Sequence, residues 1–352
     1  MRSILDRIFV DGLSGMAQGL FATLIIGTIL QQAGLFLGGE MGDLIYLTGK
    51  MAAAMTGAGI GVGVARKFEA GHLVVVSAAT AGMIGAFASS LLAGNVMQSN
   101  GAMVFSGPGE PLGAFVAAYL AIEVGILIGG KTRLDIIVTP LVCIGVGAAV
   151  GLSVGPPISK FMAWLGSLIN WGTEQQPFLM GIVVSVLMGM ILTLPISSAA
   201  LGIILNLSGL AAGAATVGCC CNMIGFAVAS FRENGIGGLL SQGIGTSMLQ
   251  VPNIVKRPLI WVPAILSSAI LGPVGTLLFH MTNNATGSGM GTAGLVGPLM
   301  TWQVMVQTEQ ALVVLLKILT IQIVLPAVLT LGISEFMRKK GWIRYGDMKL
   351  EL

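Results

Sequence analysis

The chain has 352 residues, of which 55% are hydrophobic and only 9% are charged, and its formal net charge is +3. A soluble globular domain carries about 25% charged residues, so this composition excludes one and predicts a polytopic membrane protein. The 52 glycines agree with this class, because small residues let transmembrane helices pack closely. The four cysteines lie within apolar segments and lack metal-ligand spacing, so no disulfide framework, metal, cofactor or nucleic-acid partner is expected.

The N-terminal part contains five apolar stretches that are long enough to cross a bilayer. They are predicted at about 13–37, 44–64, 73–94, 112–130 and 135–154. Basic residues occur before the first span, where Met1–Val10 is predicted to form an interfacial helix, and in the loops 65–72 and 131–135. The loops 39–43 and 95–111 contain no Lys or Arg. By the positive-inside rule, the N-terminus is predicted to be cytoplasmic.

The next part of the chain is less regular. Residues 158–177 are predicted to form an amphipathic segment at the outer interface, with Trp164 and Trp171 at headgroup level. The apolar run 178–207 is longer than one span needs. It is interrupted at 194–198, where a proline frees backbone groups within the membrane. This interruption predicts a broken helix.

The region after this run leaves two topologies open. Residues 209–230 are apolar and rich in small side chains, and a glycine-rich segment follows at 235–245. If Arg232 and the Lys256–Arg257 pair are both cytoplasmic, the stretch between them is a loop or a re-entrant hairpin. Otherwise the preceding apolar run must cross the membrane twice.

Two further spans are predicted at about 258–279 and 310–334, and the basic cluster 338–340 places the C-terminus on the cytoplasmic side. The fold class is therefore an all-α polytopic membrane protein. We expect about eight to ten transmembrane helices, one or two re-entrant hairpins and both termini in the cytoplasm.

Residues 280–302 interrupt the apolar pattern most strongly. The stretch contains two adjacent amides, several hydroxyls, five glycines and a proline between two long apolar runs. Such glycine spacing is unlikely to hold a long helix, because each Gly costs about 1 kcal/mol relative to Ala. Irregular polar backbone of this kind lines the substrate site in many transporters. The alternative is an extramembrane loop, and composition alone does not decide between the two.

Three acidic or basic residues have unusual positions. Glu110 lies in a turn of prolines and glycines, where a fixed carboxylate suits a sugar hydroxyl; the alternative is a solvated turn residue. Glu123 lies inside the fourth span and is a functional candidate, although it can also reach the interface near Lys131. Lys317, within the last span, is predicted to pair with Glu309 or to face a cavity.

The remaining candidates are uncharged or weakly basic polar side chains. Amides both donate and accept hydrogen bonds, so they suit a polar solute, while an amide between helices can also serve packing. His280 could donate to a ligand or shuttle a proton, or could simply be hydrated. The residues predicted to bind a solute are Glu110, Ser197, Asn222, Gln242, His280, Asn283, Asn284 and Thr286. The cysteine run 219–221 is better explained as packing than as reactive thiols.

Four stretches resemble a known family. They are 12–30, 107–115, 194–200 and 284–297. Together they resemble the IIC-type membrane proteins of the bacterial sugar phosphotransferase system, and in particular the stand-alone group that includes the perfringolysin regulator. The resemblance extends over about residues 10–340.

The resemblance implies a single IIC-like domain over 1–352, with an N-terminal five-span part at 1–155 and a C-terminal part with re-entrant segments at 178–335. It implies a homodimer in the inner membrane, and a sugar bound by a carboxylate and nearby polar groups. Glu110 would match the acid and Asn284 a polar group of a hairpin. Two features depart from the family pattern: the Thr/Ile-Glu-Pro motif is Gly-Glu-Pro here, and no IIA or IIB phosphocarrier domain is present in the sequence.

Two functions from different classes follow. The first is a permease that binds and moves a small polar solute, expected to be a sugar, with phosphorylation by separate IIA and IIB partners as an option. Its substrate would contact the 280–300 stretch, the 194–200 break and Glu110. The second is a membrane sensor or regulator that binds a solute without transport. The protein is not expected to be an enzyme by itself. A channel is less favoured, because the spans lack rings of charge.

Overall fold

The computed structural model describes residues 7–98, 101–105 and 107–350. These residues are predominantly helical, and no strand forms among them. Residues 1–6 of the interfacial helix predicted for Met1–Val10 lie outside the described residues, and the rest of it falls in the π-helical turn Arg7–Gly12. The chain divides into two compact units, Met1–Met162 (unit 1) and Ala163–Leu352 (unit 2).

Sixteen α-helices can be named in the described part of the chain. The first seven are α1 (Val10–Leu37), α2 (Gly39–Ala54), α3 (Thr56–Lys67), α4 (His72–Ala86), α5 (Ala88–Leu92), α6 (Pro111–Ile128) and α7 (Asp135–Thr173). The others are α8 (Pro177–Thr193), α9 (Ser198–Ile204), α10 (Gly209–Ala229), α11 (Phe231–Leu240), α12 (Val251–Lys256), α13 (Val262–Leu277), α14 (Ala285–Ser288), α15 (Val296–Met305) and α16 (Ala311–Lys339).

Unit 1 is built by sequential helix packing. Helices α1 and α2 form a hairpin through Gly38, α3 packs on both α1 and α4, and α6 packs on α3 and α4. Its core contains Met16, Ile60 and Ile122, all fully buried. The second predicted span is in fact two helices that meet at a kink at Met55.

Glu123 has a charged partner within unit 1. Its carboxylate accepts a hydrogen bond from the Nε of Arg7 at 2.7 Å, and the guanidinium of Arg7 lies 4.6 Å from the ring centroid of Phe68. Pairing lowers the cost of placing a carboxylate in an apolar helix. The structure therefore accounts for Glu123 by this ion pair rather than by extension toward Lys131.

Unit 2 is organised around α10. This helix is 83% buried over its most apolar window, against 56% or less for the other long apolar helices. Helices α8, α13 and α16 surround it. One apolar cluster includes Val217, Met281 and Ile321, and a second includes Phe226 and Met348. A central helix of small residues lets its neighbours approach closely.

Of two predicted helix interruptions, the structure contains one and lacks the other. The interruption predicted at 194–198 separates α8 from α9. By contrast, the fifth span does not end at Gly155, because α7 continues through Pro156 and Pro157 to Thr173. Most of residues 158–177 therefore belong to α7, and their position at the outer interface stays a prediction. A proline within a helix removes a backbone donor and commonly kinks the helix, but it does not oblige the helix to end.

Among the described residues, six helices are long and apolar enough to cross a membrane. They are Val10–Leu37, Pro111–Ile128, Asp135–Thr173, Gly209–Ala229, Pro258–Leu277 and Ala311–Lys339. His72–Ala86 and Pro177–Thr193 are shorter apolar helices. The prediction of an all-α polytopic membrane protein is confirmed. The crossing number, the re-entrant hairpins and the cytoplasmic termini stay predictions.

Candidate functional site

Two broken segments of unit 2 meet beside α10. The first follows α8, where residues 194–197 are non-helical and the short helix α9 begins at Ser198. The second follows α13, where residues 280–284 are non-helical before α14. Helix α14 packs on both α9 and α10. The expectation that residues 280–302 hold no long regular helix is confirmed, because only α14, a 3₁₀ turn at Ala293–Leu295 and α15 form there.

A direct hydrogen bond joins the two segments. The hydroxyl of Ser198 donates to the carbonyl oxygen of Gly289 at 2.6 Å. A Cβ atom at Gly289 would collide with the carbonyl oxygen of Ser198. Glycine is therefore required here by the close approach of the two backbones. This contact fixes the end of α14 against the start of α9.

Asn283 lies at the centre of a buried hydrogen-bond network. Its Nδ2 atom donates to the Oγ1 of Thr216 at 2.8 Å and to the Oγ1 of Thr301 at 3.0 Å. Its backbone N–H donates to the carbonyl oxygen of Gly209 at 3.2 Å. The side chain is fully engaged with protein groups, so in this structure Asn283 positions the non-helical segment.

The same network contains a buried acceptor without a partner. Gln322, in the π-helical turn Leu319–Val324, donates from Nε2 to the Oγ1 of Thr301 at 2.9 Å. Its Oε1 atom is buried and has no hydrogen-bond partner in the described part of the chain. An unsatisfied buried acceptor costs about 1–3 kcal/mol. A hydroxyl of a solute or of water is the kind of donor that would satisfy it.

Asn284 has a weakly satisfied donor at the edge of this network. Its Oδ1 accepts from the backbone N–H of Gly287 at 3.0 Å, which caps α14. Its Nδ2 donates to the sulfur of Met300 at 3.6 Å. A thioether is a weak acceptor, so an oxygen atom of a ligand can replace it at little cost. Asn284 is half-buried and Thr286, in the same turn, is exposed.

His280 lies at the start of this turn. It is exposed, and its φ angle of 47° lies in the left-handed region, which histidine adopts more readily than most residues. The structure thus brings Asn283, Asn284 and Thr286 into one turn, with His280 close by in the chain. Their part in solute binding stays a prediction.

Asn222 lies in a second network between helices. Its Oδ1 accepts from the Nε1 of Trp261 at 2.9 Å and from the Oγ1 of Thr193 at 3.1 Å. Its Nδ2 donates to the Oγ of Ser268 at 3.3 Å. These bonds link α8, α10 and α13 with the turn before α13. They support the packing alternative, although solute binding by Asn222 remains untested.

Gln242 lies in a third network. Its Nε2 donates to the Oγ of Ser230 at 2.9 Å, and its Oε1 accepts from the Nε2 of Gln250 at 2.8 Å. The side chain is fully buried in the π-helical turn Ser241–Gly245. As with Asn222, the bonds are structural and the predicted contact with a solute is untested.

Glu110 and Ser197 have different surroundings. Glu110 belongs to unit 1, where its carboxylate accepts from the backbone N–H of Leu112 at 3.4 Å and caps α6. The preceding Gly109 has φ +72°, and a Cβ there would meet the backbone of Ala86. The rigid turn predicted around Glu110 is therefore present. Ser197 is buried in the non-helical segment after α8.

Sequence reading missed part of the network. Thr216 and Gln322 lie within apolar spans, and Thr301 follows the glycine-rich stretch in α15. The only available signal was a polar side chain in an apolar helix, which has many structural explanations.

In contrast, the predicted pairing of Lys317 with Glu309 is confirmed, with 2.7 Å between Nζ and Oε2. All groups of the Asn283 network are neutral, and no cluster of three His, Cys, Asp or Glu occurs among the described residues.

The fold and this site define a polytopic helical membrane protein whose C-terminal unit holds two broken segments around a neutral polar core. Residues 10–350 match the family model described as Phosphotransferase system, EIIC, and the chain belongs to this family. The predicted resemblance is thereby confirmed, and the chain is a multi-pass membrane protein of the sugar-transporting phosphotransferase type. No curated protein matches the chain significantly.

Proposed function

We propose that the protein is a permease that binds a neutral, hydroxyl-rich solute, a sugar, at the edge of the Asn283 network. The observation that carries this proposal is the Nδ2 donor of Asn284, held by its cap and opposed only by a thioether sulfur. The exposed hydroxyl of Thr286 lies in the same turn. Paired donors and acceptors of this kind match sugar hydroxyls.

The neutrality of the network bears on the class of solute. Thr216, Asn283, Thr301 and Gln322 carry no charge, so they offer an anion no compensating partner. Burying an unpaired charge is far more costly than burying a hydroxyl. An unphosphorylated sugar therefore fits these groups better than a sugar phosphate.

The two broken segments of unit 2 also favour a protein that moves its solute across the membrane. Helices α9 and α14 are short, end within unit 2 and are joined by few polar bonds, including that from Ser198 to Gly289. Transporters use discontinuous helices because their free backbone groups can bind the substrate, while access alternates by movement of one part of the protein around that site. We therefore propose translocation as well as binding.

The deciding experiment measures binding of labelled sugars and sugar phosphates to the purified protein, followed by uptake into proteoliposomes. Asn284→Ala is expected to weaken binding by roughly tenfold, because one ligand hydrogen bond is lost. Asn95→Ala, an exposed asparagine of unit 1, is the matched control and is expected to bind like the parent. A sugar phosphate bound in preference to every sugar, or equal binding by both variants, would overturn the proposed site.

Family membership supports three further proposals. Separate IIA and IIB proteins would supply the phosphoryl group, two copies of the chain would form a homodimer, and the protein would lie in the inner membrane. Uptake that depends on added phosphocarriers would support the first proposal. A detergent-corrected mass of one chain would contradict the homodimer. Fractionation of membranes would test the location in the inner membrane.

The second candidate function is a solute-binding regulator. It is favoured by the C-terminal tail, which is docked onto unit 2 with Ile343 and Met348 buried. A docked tail can report the state of the membrane part to a partner. Saturable sugar binding without uptake, even with phosphocarriers present, would select this function over the permease.

A further inference from the structure

The C-terminal tail, residues 341–350, packs on the rest of unit 2 as a run of turns, in which Asp347 N–H donates to Arg344 O at 3.1 Å and Lys349 N–H donates to Gly346 O at 3.2 Å. Ile343 is 1% exposed and Met348 is fully buried, and both belong to an apolar cluster with Phe226 and Ile260. Between them Tyr345 is 76% exposed. Two buried anchors separated by an exposed segment are typical of a peptide held in a groove.

Side-chain amides hold the backbone of this tail. Asn234, Gln250 and Asn253 form a group that we call the amide ladder. Its bonds are Asn234 Nδ2 to Met348 O at 2.8 Å, Gln250 Nε2 to Met348 O at 3.0 Å, Asn253 Nδ2 to Lys349 O at 2.9 Å, and Leu350 N to Asn234 Oδ1 at 2.8 Å. Because an amide both donates and accepts, it can pair with a peptide backbone whatever the side chains are.

The tail also covers a buried charge pair. Arg338 donates from Nη2 to Glu233 Oε1 at 2.8 Å, and the two side chains are 10% and 0% exposed. The backbone N–H of Gly346 donates to the same carboxylate oxygen at 3.3 Å. Glu233 Oε2 and Arg338 Nε have no hydrogen-bond partner in the described part of the chain. The pair is therefore incompletely hydrogen-bonded while the tail is docked, and release of the tail would expose it to water.

The amide ladder is connected to the candidate solute site. Gln250 donates to Gln242, which lies in the turn Ser241–Gly245. This turn packs on the 3₁₀ turn Ala293–Leu295. Leu295 has φ 60°, a left-handed conformation that costs a non-glycine residue free energy and persists only where the surroundings impose it. The ladder is thus in contact, through Gln242 and its turn, with the stretch that contains Asn284.

We propose that the amide ladder is a peptide-binding groove whose occupant is the chain's own tail, and that occupancy of the groove sets the conformation of Ala293–Leu295. The ligand class is a peptide that forms a turn and has an apolar side chain at the position of Met348. This proposal goes beyond sugar binding and does not depend on it. The tail is the natural occupant because its backbone already makes the bonds that such a peptide needs.

Labelling of single cysteines tests occupancy in the full-length protein. Met348→Cys is expected to react with a maleimide at least roughly tenfold more slowly than Tyr345→Cys, because reaction requires local release of the tail. Adding Asn234→Ala and Asn253→Ala is expected to raise the Met348→Cys rate by roughly tenfold while leaving the Tyr345→Cys rate unchanged. Equal rates for the two cysteines in the parent chain would overturn the proposal. The unsubstituted protein, whose described cysteines are all buried, gives the background.

A synthetic peptide tests the groove without any change to it. The peptide of residues 341–350, added in excess, is expected to compete with the tail and to speed labelling of Met348→Cys. A scrambled peptide of the same composition is the control. If the variant with Asn234→Ala and Asn253→Ala does not fold, this competition still tests the proposal. A groove that binds no peptide would give the same labelling rate of Met348→Cys with the tail peptide and with the scrambled peptide, and that result would overturn the proposal.

Amide hydrogen exchange tests the coupling. When the tail is released, the backbone of Ala293–Leu295 is expected to exchange faster, while α1 in unit 1 exchanges as in the parent. Faster labelling of the tail with unchanged exchange at Ala293–Leu295 would overturn the coupling. Faster exchange in α1 as well would identify general unfolding of the variant. In that case, hydrogen exchange at Ala293–Leu295 is measured in the parent chain with the competing peptide added. No solute is used, so failure here is distinct from failure of the permease proposal.

Discussion

The two units differ in how their buried hydroxyls bond. In unit 1, Thr28 and Ser77 each donate to a carbonyl oxygen four residues earlier in the same helix. In unit 2, Thr193 and Ser198 bond to other elements, as do the amides of the three networks. Bonds within one helix leave its position undefined, whereas bonds between helices specify one arrangement.

This difference in hydrogen bonding indicates which unit can adopt more than one well-defined conformation. Helices of unit 1 contact each other through small and aliphatic side chains, a surface that specifies packing by shape. Unit 2 adds a set of directional bonds that must be broken together and remade together. Discrete alternative arrangements, rather than continuous sliding, are what such networks permit.

The largest effect is expected when the centre of the unit 2 network is removed. Asn283→Ala leaves the hydroxyls of Thr216 and Thr301 without their shared donor, and should lower the free energy of unfolding by about 3 kcal/mol. Thermal unfolding of the purified protein measures it. Ser77→Ala in unit 1 is the control, because the hydroxyl of Ser77 donates to the carbonyl oxygen of Leu73 within the same helix, α4. Equal losses for the two variants would remove the contrast between the units.

A second prediction concerns the contact between α9 and α14. Gly289→Ala places a methyl group against the carbonyl oxygen of Ser198 and should cost about 2 kcal/mol of stability through forced separation of the backbones. Gly332→Ala is the matched control, because a Cβ there meets nothing within 4 Å. We expect this control to be neutral or stabilising. A Gly289→Ala protein with the parent unfolding temperature would show that the two segments do not lie this close.

A third prediction asks whether unit 1 contributes a ligand of its own. Glu110→Gln keeps a hydrogen-bond acceptor for the cap of α6 but removes the charge, and is expected to weaken sugar binding by roughly tenfold. Equilibrium binding measures it, with unfolding temperature as the check on folding. Glu174→Gln, an exposed glutamate of unit 2, is the control. If Glu110→Gln binds sugar like the parent, the charge of Glu110 takes no part in sugar binding.

The smallest effect is expected at the ion pair of unit 1. Arg7 and Glu123 are 40% and 30% exposed, so their attraction is screened and should contribute about 0.5–1 kcal/mol. A double-mutant cycle with Arg7→Gln and Glu123→Gln isolates this coupling in unfolding measurements. A coupling of about 3 kcal/mol or more would show that unit 1 also depends on a buried polar interaction.

Features that depend on residues close together in the chain were predictable from the sequence. Pro195 and the glycines of 280–302 disrupt helices by their own covalent geometry, so both breaks were predictable. Asn284 was predictable as a polar residue next to such a break. The ion pair of Lys317 with Glu309 was predictable because the two residues are separated by about two helical turns.

The remainder depends on contacts between residues distant in the chain. Nothing local distinguishes Gln322, which bonds to Thr301, from a polar residue facing lipid or water. Similarly, the amides at 234, 250 and 253 have no feature that points to the tail about one hundred residues later. The path of α7 through Pro156 was not predictable either, because a proline raises the cost of helix without determining whether packing offsets it.

Helix α10 has a consequence for how the protein tolerates mutation and how it is made. Most transmembrane helices have a lipid-facing side where aliphatic substitutions are neutral, but α10 meets protein around almost its whole circumference. Larger residues are therefore expected to be selected against on every side of it, including at Cys219 and Cys220, which are fully buried. During biogenesis the same helix enters the bilayer with a surface shaped for neighbours, so its final environment is completed only after α13 and α16 have been synthesised.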